Sequence, residues 1–102
     1  MSIKKSFQKN GLTCKVTFRL PADLVKNAEK VCLVGDFNEW QKDELPLKKL
    51  KSGDFSITLS LKQGQAYQFR YLINGENWIN DPEADKYASA PYPGTENSVL
   101  LL

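Results

Sequence analysis

Strict alternation of apolar and polar residues is the feature that most constrains how this 102-residue chain can fold. From residue 12 to residue 20, every second side chain is apolar, and the residues between are Thr13, Lys15, Thr17 and Arg19. A period of two places successive side chains on opposite faces of a strand, so the pattern predicts a strand with one buried and one solvated face. Residues 55–61 and 67–73 repeat this pattern. The chain is therefore expected to form β-sheets.

Turn residues divide the chain into further strands. The short apolar run at residues 30–34 predicts a central strand, residues 78–79 and 99–102 predict two more, and residues 45–50 predict a weak edge strand interrupted by Pro46. Residues 22–29 are expected to form a connecting loop, and residues 81–94 a proline-rich loop. Residues 1–10 are expected to be a flexible N-terminal segment, with residues 11–102 forming a single domain. About seven short strands without a normal helix predict an all-β, immunoglobulin-like β-sandwich.

Composition excludes several kinds of function. The chain has no histidine, which excludes a histidine general base, a Ser-His or Cys-His nucleophile pair and histidine metal ligands. Cys14 and Cys32 lie in apolar segments and are expected to be small buried hydrophobes, too few to build a zinc site. The 14 basic and 12 acidic residues are scattered along the chain, which predicts no nucleic-acid partner. No long apolar run or signal-peptide pattern occurs, so a cytoplasmic protein without membrane association is expected.

Acidic residues follow the last of the aromatic segments but do not predict a metal site or a catalytic pair. Asp81, Glu83 and Asp85 resemble the beginning of a calcium loop, yet Lys86 and Tyr92 occupy the positions that require glycine and glutamate. No carboxylate lies in an apolar setting that would raise its pKa, as a glycoside hydrolase would need. The sequence predicts no enzyme, no bound metal and no cofactor.

Two tryptophans occupy loop or hairpin positions. Trp40 closes the stretch GDFNEW, and Trp78 follows the turn residues Asn74-Gly75. Each indole can fold inward as a lid on the core, or it can be exposed as a platform for a ligand. A two-residue turn would place Trp78 opposite Tyr71 on the buried face, whereas one extra loop residue would place it opposite Leu72 on the face that Arg70 shares. The sequence pattern alone leaves both registers open.

Three segments carry a resemblance to a known family. VCLVGDFNEW, QAYQFRYLINGENWINDPEAD and GTENSV, in that order, resemble the glycogen-binding domain of the AMP-activated protein kinase beta subunit. They are equally similar to the early-set domain that precedes the catalytic barrel of isoamylases and glycogen branching enzymes. The similarity runs from about residue 30 to the last residue, and residues 12–20 match the first strand of that family. It implies an early-set β-sandwich, a carbohydrate-binding module for α-1,4-glucans such as glycogen, starch and maltodextrin.

The resemblance also implies which residues contact sugar. Trp40 and Trp78 match the two stacking tryptophans, and Arg70 stands where the family commonly has a hydrogen-bonding lysine. The matched hairpin carries one more residue before Trp78 than the kinase domain does, which favours the register beside Arg70. Pro93 replaces a leucine that reaches around the sugar, and Tyr92 beside it is expected to be an additional contact. The full set implied is Trp40, Arg70, Trp78, Thr95 and Asn97, with Tyr92 as the additional contact.

Two functions follow from this sequence. The first is non-catalytic binding of an α-glucan oligosaccharide or polysaccharide. The alternative is a protein-interaction or packing domain that keeps the early-set scaffold and partners a glucan-processing enzyme or kinase without binding sugar itself. The sugar-binding function requires Trp40, Arg70, Trp78 and Asn97 on one open face, and full burial of either indole would remove its platform.

Overall fold

The computed structural model describes residues 3–25, 28–90 and 95–102, and these residues fold as two antiparallel sheets that form a β-sandwich. Nine strands lie within these ranges: β1 (Ile3–Phe7), β2 (Thr13–Leu20), β3 (Val31–Gly35), β4 (Lys48–Lys49), β5 (Phe55–Lys62), β6 (Ala66–Ile73), β7 (Asn77–Ile79), β8 (Lys86–Ser89) and β9 (Glu96–Leu101). Sheet A has the order β1-β2-β5-β4. Sheet B has the order β3-β6-β9-β8, and β7 pairs with the part of β6 beyond β9. The all-β sandwich expected from the sequence is confirmed.

Two strands occur where the sequence predicted none. β1 lies in the segment expected to be flexible, and it pairs with β2 along its whole length, with Ile3 in the core. β8 lies in the expected proline-rich loop and pairs with β9. Both are edge strands, whose position is set by backbone hydrogen bonds to a neighbour, so their side chains show little apolar alternation. Ala22–Leu24 forms one 3₁₀ turn, and Tyr92 and Pro93 lie outside the described residues.

The core lies between the two sheets and is filled by the apolar positions of the alternating strands. Cys14, Val16, Phe18 and Leu20 of β2 are fully buried, whereas Leu12, predicted to share that face, is 69% exposed in the preceding turn. Phe18 meets Phe69 of β6 edge-on with a ring-centroid distance of 5.3 Å. Aromatic pairs of this kind add to the stabilisation from burial, and close packing between the two sheets holds β6 in place.

A buried carboxylate fixes the chain that follows β7 to sheet B. Asp81 is fully buried, and its Oδ2 accepts a hydrogen bond of 2.7 Å from the Tyr71 hydroxyl. Its backbone N–H donates to Ser98 Oγ at 2.9 Å, and its Oδ1 accepts from the Glu83 N–H at 2.8 Å. Burial, together with the charge of Asp81, raises the pKa of Tyr71 well above its usual value, which keeps this hydroxyl protonated and donating.

Positive charge is concentrated on the strands of sheet A, although basic residues are scattered along the sequence. The strands of sheet A contain no aspartate or glutamate, and their basic residues are Lys4, Lys5, Lys15, Arg19, Lys48, Lys49 and Lys62. The fold therefore gathers positive charge that the linear sequence disperses. Among the described residues, no helix has the length and apolar character needed to cross a membrane.

Candidate functional site

The stretch GDFNEW forms a tight turn at the end of β3. Gly35 is required there because a Cβ atom would lie 2.6 Å from the carbonyl oxygen of Gln68 and 2.7 Å from Phe69 Cβ. A 3₁₀ turn, Asp36–Asn38, follows. The buried Asn38 closes it, since its Oδ1 accepts from the Gly35 N–H at 3.0 Å and its Nδ2 donates to the Gln41 carbonyl at 3.1 Å.

This turn sends its two aromatic side chains to opposite sides of sheet B. Phe37 enters the core, with its ring centroid 6.0 Å from those of Phe18 and Tyr67. Glu39 and Trp40 adopt left-handed conformations with φ of 57° and 59°, and the Trp40 N–H donates to the Gly35 carbonyl at 2.9 Å. A bulky residue rarely adopts positive φ, so the anchors on either side must hold it there. Trp40 consequently lies on the outer face of sheet B.

The indole of Trp40 is half-buried and its N–H is already bonded. The ring packs against an apolar patch formed by Cys32, Val34 and Leu72. Its Nε1 donates to Asp36 Oδ1 at 2.9 Å, and Asp36 Oδ2 accepts from the Gln68 backbone N–H at 2.8 Å. Burial raises the pKa of the Cys32 thiol, which therefore stays neutral beneath the ring. What Trp40 offers a ligand is its ring surface.

Trp78 reaches the same face through the β6–β7 hairpin. Asn74 and Gly75 both have positive φ, of 52° and 71°, as a type I′ turn requires, and Glu76 is the extra residue of the loop. Trp78 consequently pairs with Leu72, on the face that Arg70 shares. It is 38% exposed. The register with one extra loop residue, which the resemblance favoured, is confirmed.

A row of polar side chains lies between β6 and β9. Arg70 Nε donates to Asn97 Oδ1 at 2.6 Å, and Asn97 Nδ2 donates to Gln68 Oε1 at 2.9 Å. Asn97 is only 5% exposed, and both ends of its amide are engaged within the row. Asn97 therefore orients Arg70 and Gln68, which project further toward solvent.

These side chains border an open groove with a volume of about 650 Å³, within the range of about 300 to 1,000 Å³ typical of small-molecule sites. The described residues that line it are Asp36, Trp40, Lys42, Gln68, Arg70, Trp78, Ala90 and Asn97. Four of the residues expected from the sequence thus come together. Thr95 is not among the lining residues, and its carbonyl accepts from the Ala90 N–H at 3.0 Å. Tyr92 cannot be compared, because it lies outside the described residues.

Four lining residues were not expected from the sequence. Gln68 precedes Arg70 by two residues in β6, so the strand period alone places both on one face. Asp36 belongs to the same GDFNEW motif as Trp40, and this could have pointed to it. Lys42 and Ala90 come from connecting segments without periodicity, and no local pattern could have assigned them to the groove.

The lining residues supply aromatic surfaces and polar groups that a ligand can contact. Two indoles supply ring surfaces, Arg70, Gln68 and Lys42 supply donors, and Asp36 supplies an acceptor. The lining residues named above include no cysteine, histidine or hydroxyl side chain. Across the described ranges, no group of three or more His, Cys, Asp or Glu residues is arranged to hold a metal ion.

Comparison with known proteins identifies a family and relatives of this chain. A family model described as the glycogen recognition site of AMP-activated protein kinase matches residues 14–92. Cruciform DNA-recognizing protein 1 of Saccharomyces cerevisiae, in strains RM11-1a and JAY291, is 31% identical over 89 residues, which is 84% of this chain and 17% of that protein. The chain thus spans less than a fifth of the curated relatives it matches. Their name refers to DNA recognition, so the expected exclusion of a nucleic-acid partner has no support.

Proposed function

Because this chain belongs to the family of the glycogen recognition site of AMP-activated protein kinase, we propose that its groove binds α-1,4-linked glucans without catalysis. One observation carries the proposal. Trp40, Arg70, Trp78 and Asn97 come from separate segments of the chain, and all of them line one open groove. A domain that kept only its scaffold would have no reason to hold these four side chains around a common space.

Aromatic stacking is the first part of the proposed mechanism. A glucose ring has a face of C–H bonds that is weakly positive and poorly hydrated, and it suits the negative face of an indole. Trp40 is clamped by Asp36 and by the apolar patch, so little side-chain entropy is lost when a sugar packs on it. Trp78, 38% exposed, provides the second surface.

Hydrogen bonding to the sugar hydroxyls is the second part. Asn97 holds Arg70 by its Nε atom, which aims the terminal guanidinium nitrogens into the groove as a fixed pair of donors. Gln68 and Lys42 add donors. Asp36 already accepts two hydrogen bonds, and a carboxylate has further lone pairs for a hydroxyl group. Because these groups are oriented before the sugar arrives, they favour one arrangement of hydroxyls along the glucan.

The groove is open to solvent, so the affinity for one oligosaccharide is expected to be modest. Two stacking contacts and a few hydrogen bonds correspond to a Kd of about 10 μM to 1 mM. Retention on a polymer would then come from the repeated sites along each glucan chain.

The proposal is tested by titrating maltoheptaose while tryptophan fluorescence and calorimetric heat are recorded. Wild type is compared with Trp40→Ala and Trp78→Ala, and Phe7→Ala is the matched control because Phe7 is 54% exposed on sheet A, away from the groove. We expect wild type and Phe7→Ala to bind maltoheptaose saturably, and the folded tryptophan variants not to bind it. Wild type should not bind a β-1,4-linked hexaose. Absence of wild-type binding up to about 10 mM, weaker than the expected range, would contradict it and favour the protein-interaction alternative.

A further inference from the structure

The outer face of sheet A, on the opposite side of the sandwich from the groove, presents a row of cations, most of which have no carboxylate partner among the described residues. Side chains alternate along each strand, so the residues between the buried positions of β2 and β5 all point to solvent. We call this surface the basic face and define it by its five cations, Lys4, Lys15, Arg19, Lys48 and Lys62.

Strand register gives the cations a regular spacing. Lys4 is opposite Thr17, Lys15 is opposite Ser60, and Lys62 is opposite Thr13. Lys4, Lys15 and Lys62 therefore lie on one diagonal across three strands, with neighbouring residues about 7 to 8 Å apart. Lys48 and Arg19 both flank Ser56 at the far end of the face. Four strands spaced by about 4.8 Å give the face a width of about 14 Å.

Little of this charge is neutralised within the protein. Arg19 forms a salt bridge of 2.9 Å with Asp54, the one such partner on this face among the described residues. The basic residues at the margins are already engaged, since Lys5 bonds to Asp85 at 2.7 Å and Lys49 lies over the Phe55 ring. No carboxylate of the described residues lies within salt-bridge distance of Lys4, Lys15, Lys48 or Lys62.

The remaining outward side chains of the face indicate the chemistry of its partner. They are hydroxyls, such as Thr17 and Thr58, whose Oγ1 atoms are 2.9 Å apart, and none is aromatic or aliphatic. A protein interface uses aromatic residues and is depleted in lysine and serine. Insertion at a membrane surface needs an apolar component, and single-stranded nucleic acid is held by aromatic platforms. Lysine, arginine, serine and threonine are the side chains that contact the phosphates of a duplex.

We propose that the basic face binds the phosphate backbone of double-stranded nucleic acid without reading its sequence. The major groove, about 12 Å wide, admits a helix or a two-stranded ribbon but not a four-stranded sheet about 14 Å across, so contact is limited to phosphates. Contacts from the four lysines of the face give a slope of about −4 for log K against log salt, and a Kd of about 10⁻⁴ to 10⁻⁶ M near physiological salt.

The test is fluorescence anisotropy of a labelled, mixed-sequence DNA duplex of about 20 base pairs, titrated from about 50 to 200 mM KCl. The double variant Lys15→Gln/Lys62→Gln is compared with Lys30→Gln/Lys86→Gln, which lowers the net charge equally but lies off the face. Lys15 and Lys62 belong to the central strands, so protection of a sheet edge cannot explain their effect. We expect the affinity of the first variant for the duplex to fall at least about tenfold, with a salt slope shallower by about two. The second variant should resemble wild type.

Several outcomes would overturn the proposal. Equal weakening by both double variants would mean that net charge acts without a defined face. Binding to vesicles containing phosphatidylserine, with none to the duplex, would assign the face to membranes. Tighter binding of the matching single strand, released by maltoheptaose, would place the nucleic acid in the groove. Circular dichroism melts of each variant establish that every comparison is made on folded protein.

Discussion

The two outer faces of the sandwich have opposite chemistry although they are built on similar sheets. The groove face of sheet B carries the apolar patch of Cys32, Val34 and Leu72, with the Trp40 ring packed on it. Its polar groups bond to one another, as in the contact of 2.6 Å between Arg70 and Asn97. The basic face has lysines and hydroxyls with few internal partners. The polar groups of the groove face are held by one another before a ligand arrives, whereas most cations of the basic face have no carboxylate partner among the described residues.

The difference shows what each sequence pattern encodes. β2 and β5 alternate strictly because only one of their faces is covered. β3 is buried at all five positions because the core covers one face and the GDFNEW turn covers the other. The uninterrupted apolar run of β3 therefore marks the sheet whose outer face is covered, here by the Trp40 ring. That ring is the stacking surface of the groove.

Gly35→Ala is expected to have the largest effect, because it disrupts the groove face at its base. A Cβ atom there would lie 2.6 Å from the Gln68 carbonyl oxygen, which belongs to a central strand and cannot move freely. Overpacking of this kind costs about 3 kcal/mol of unfolding free energy, measured by urea denaturation. Gly11→Ala is the control, since Gly11 has positive φ but nothing within 4 Å, and it should cost about 1 kcal/mol. Equal losses would refute the steric explanation.

Asn74→Gly tests whether the hairpin that carries Trp78 depends on one side-chain oxygen. Asn74 Oδ1 accepts from the backbone N–H groups of Glu29 and Lys30 at 2.8 and 3.0 Å. Glycine keeps the positive φ but loses this acceptor, so we expect a loss of about 1 kcal/mol in stability and a several-fold weaker affinity for maltoheptaose. Asn74→Asp retains the acceptor and should stay near wild type. Unchanged sugar affinity in Asn74→Gly would show that the turn conformation alone positions Trp78.

Asp36→Ala should weaken the affinity of the groove for glucan without changing the affinity of the basic face for a duplex. Asp36 joins the Trp40 indole to β6 through hydrogen bonds of 2.9 and 2.8 Å. Asp36→Ala loses both hydrogen bonds and leaves the indole N–H of Trp40 unanchored, and a positioning cost of about 1 kcal/mol should weaken glucan binding about fivefold, with duplex binding unchanged. The environment of Trp40 is followed by its fluorescence in a Trp78→Phe background. A weakened affinity without any change in that spectrum would mean that Asp36 contacts sugar directly instead of positioning the ring.

Much of this architecture could be predicted from the sequence, because the two-residue period directly reports which strand face is buried. The alternating pattern located β2, β5 and β6, and a continuous apolar run located β3. The extra hairpin residue relative to the kinase domain favoured the register of Trp78 that the structure has. β1 and β8 escaped prediction because pairing across space, not local side-chain chemistry, makes them strands.

The candidate site divides in the same way. Trp40, Arg70, Trp78 and Asn97 belong to motifs, so their convergence could be expected from a resemblance. Lys42 enters the groove from a loop and left no local signal. The basic face was hidden because its lysines are distant in sequence, and only the antiparallel register of β1, β2 and β5 aligns them.

Asp54→Asn is expected to have the smallest effect on stability, and its effect depends on pH. Hydrogen bonds from the Ala22 backbone N–H and the Arg19 guanidinium lower the pKa of Asp54. A lowered pKa stabilises the folded state fully above the unfolded value of about 3.9, and this stabilisation is lost as pH falls through the folded value. The stability gap between wild type and Asp54→Asn should therefore be constant from about pH 5 to 7 and close toward about pH 2.

The same variant sharpens the comparison of the two faces. Asparagine keeps an acceptor for Ala22 but releases Arg19, the one cation of the basic face with a carboxylate partner among the described residues. An added phosphate contact should make the salt slope of duplex binding steeper by about one, while maltoheptaose affinity stays unchanged. Some acid sensitivity should remain, since burial of Asp85 is outweighed by hydrogen bonds from Leu101 and Lys5 that lower its pKa. If the stability gap between wild type and Asp54→Asn does not close at low pH, Asp54 acts through its shape and not its charge. If the salt slope of duplex binding is unchanged, Arg19 does not face the duplex.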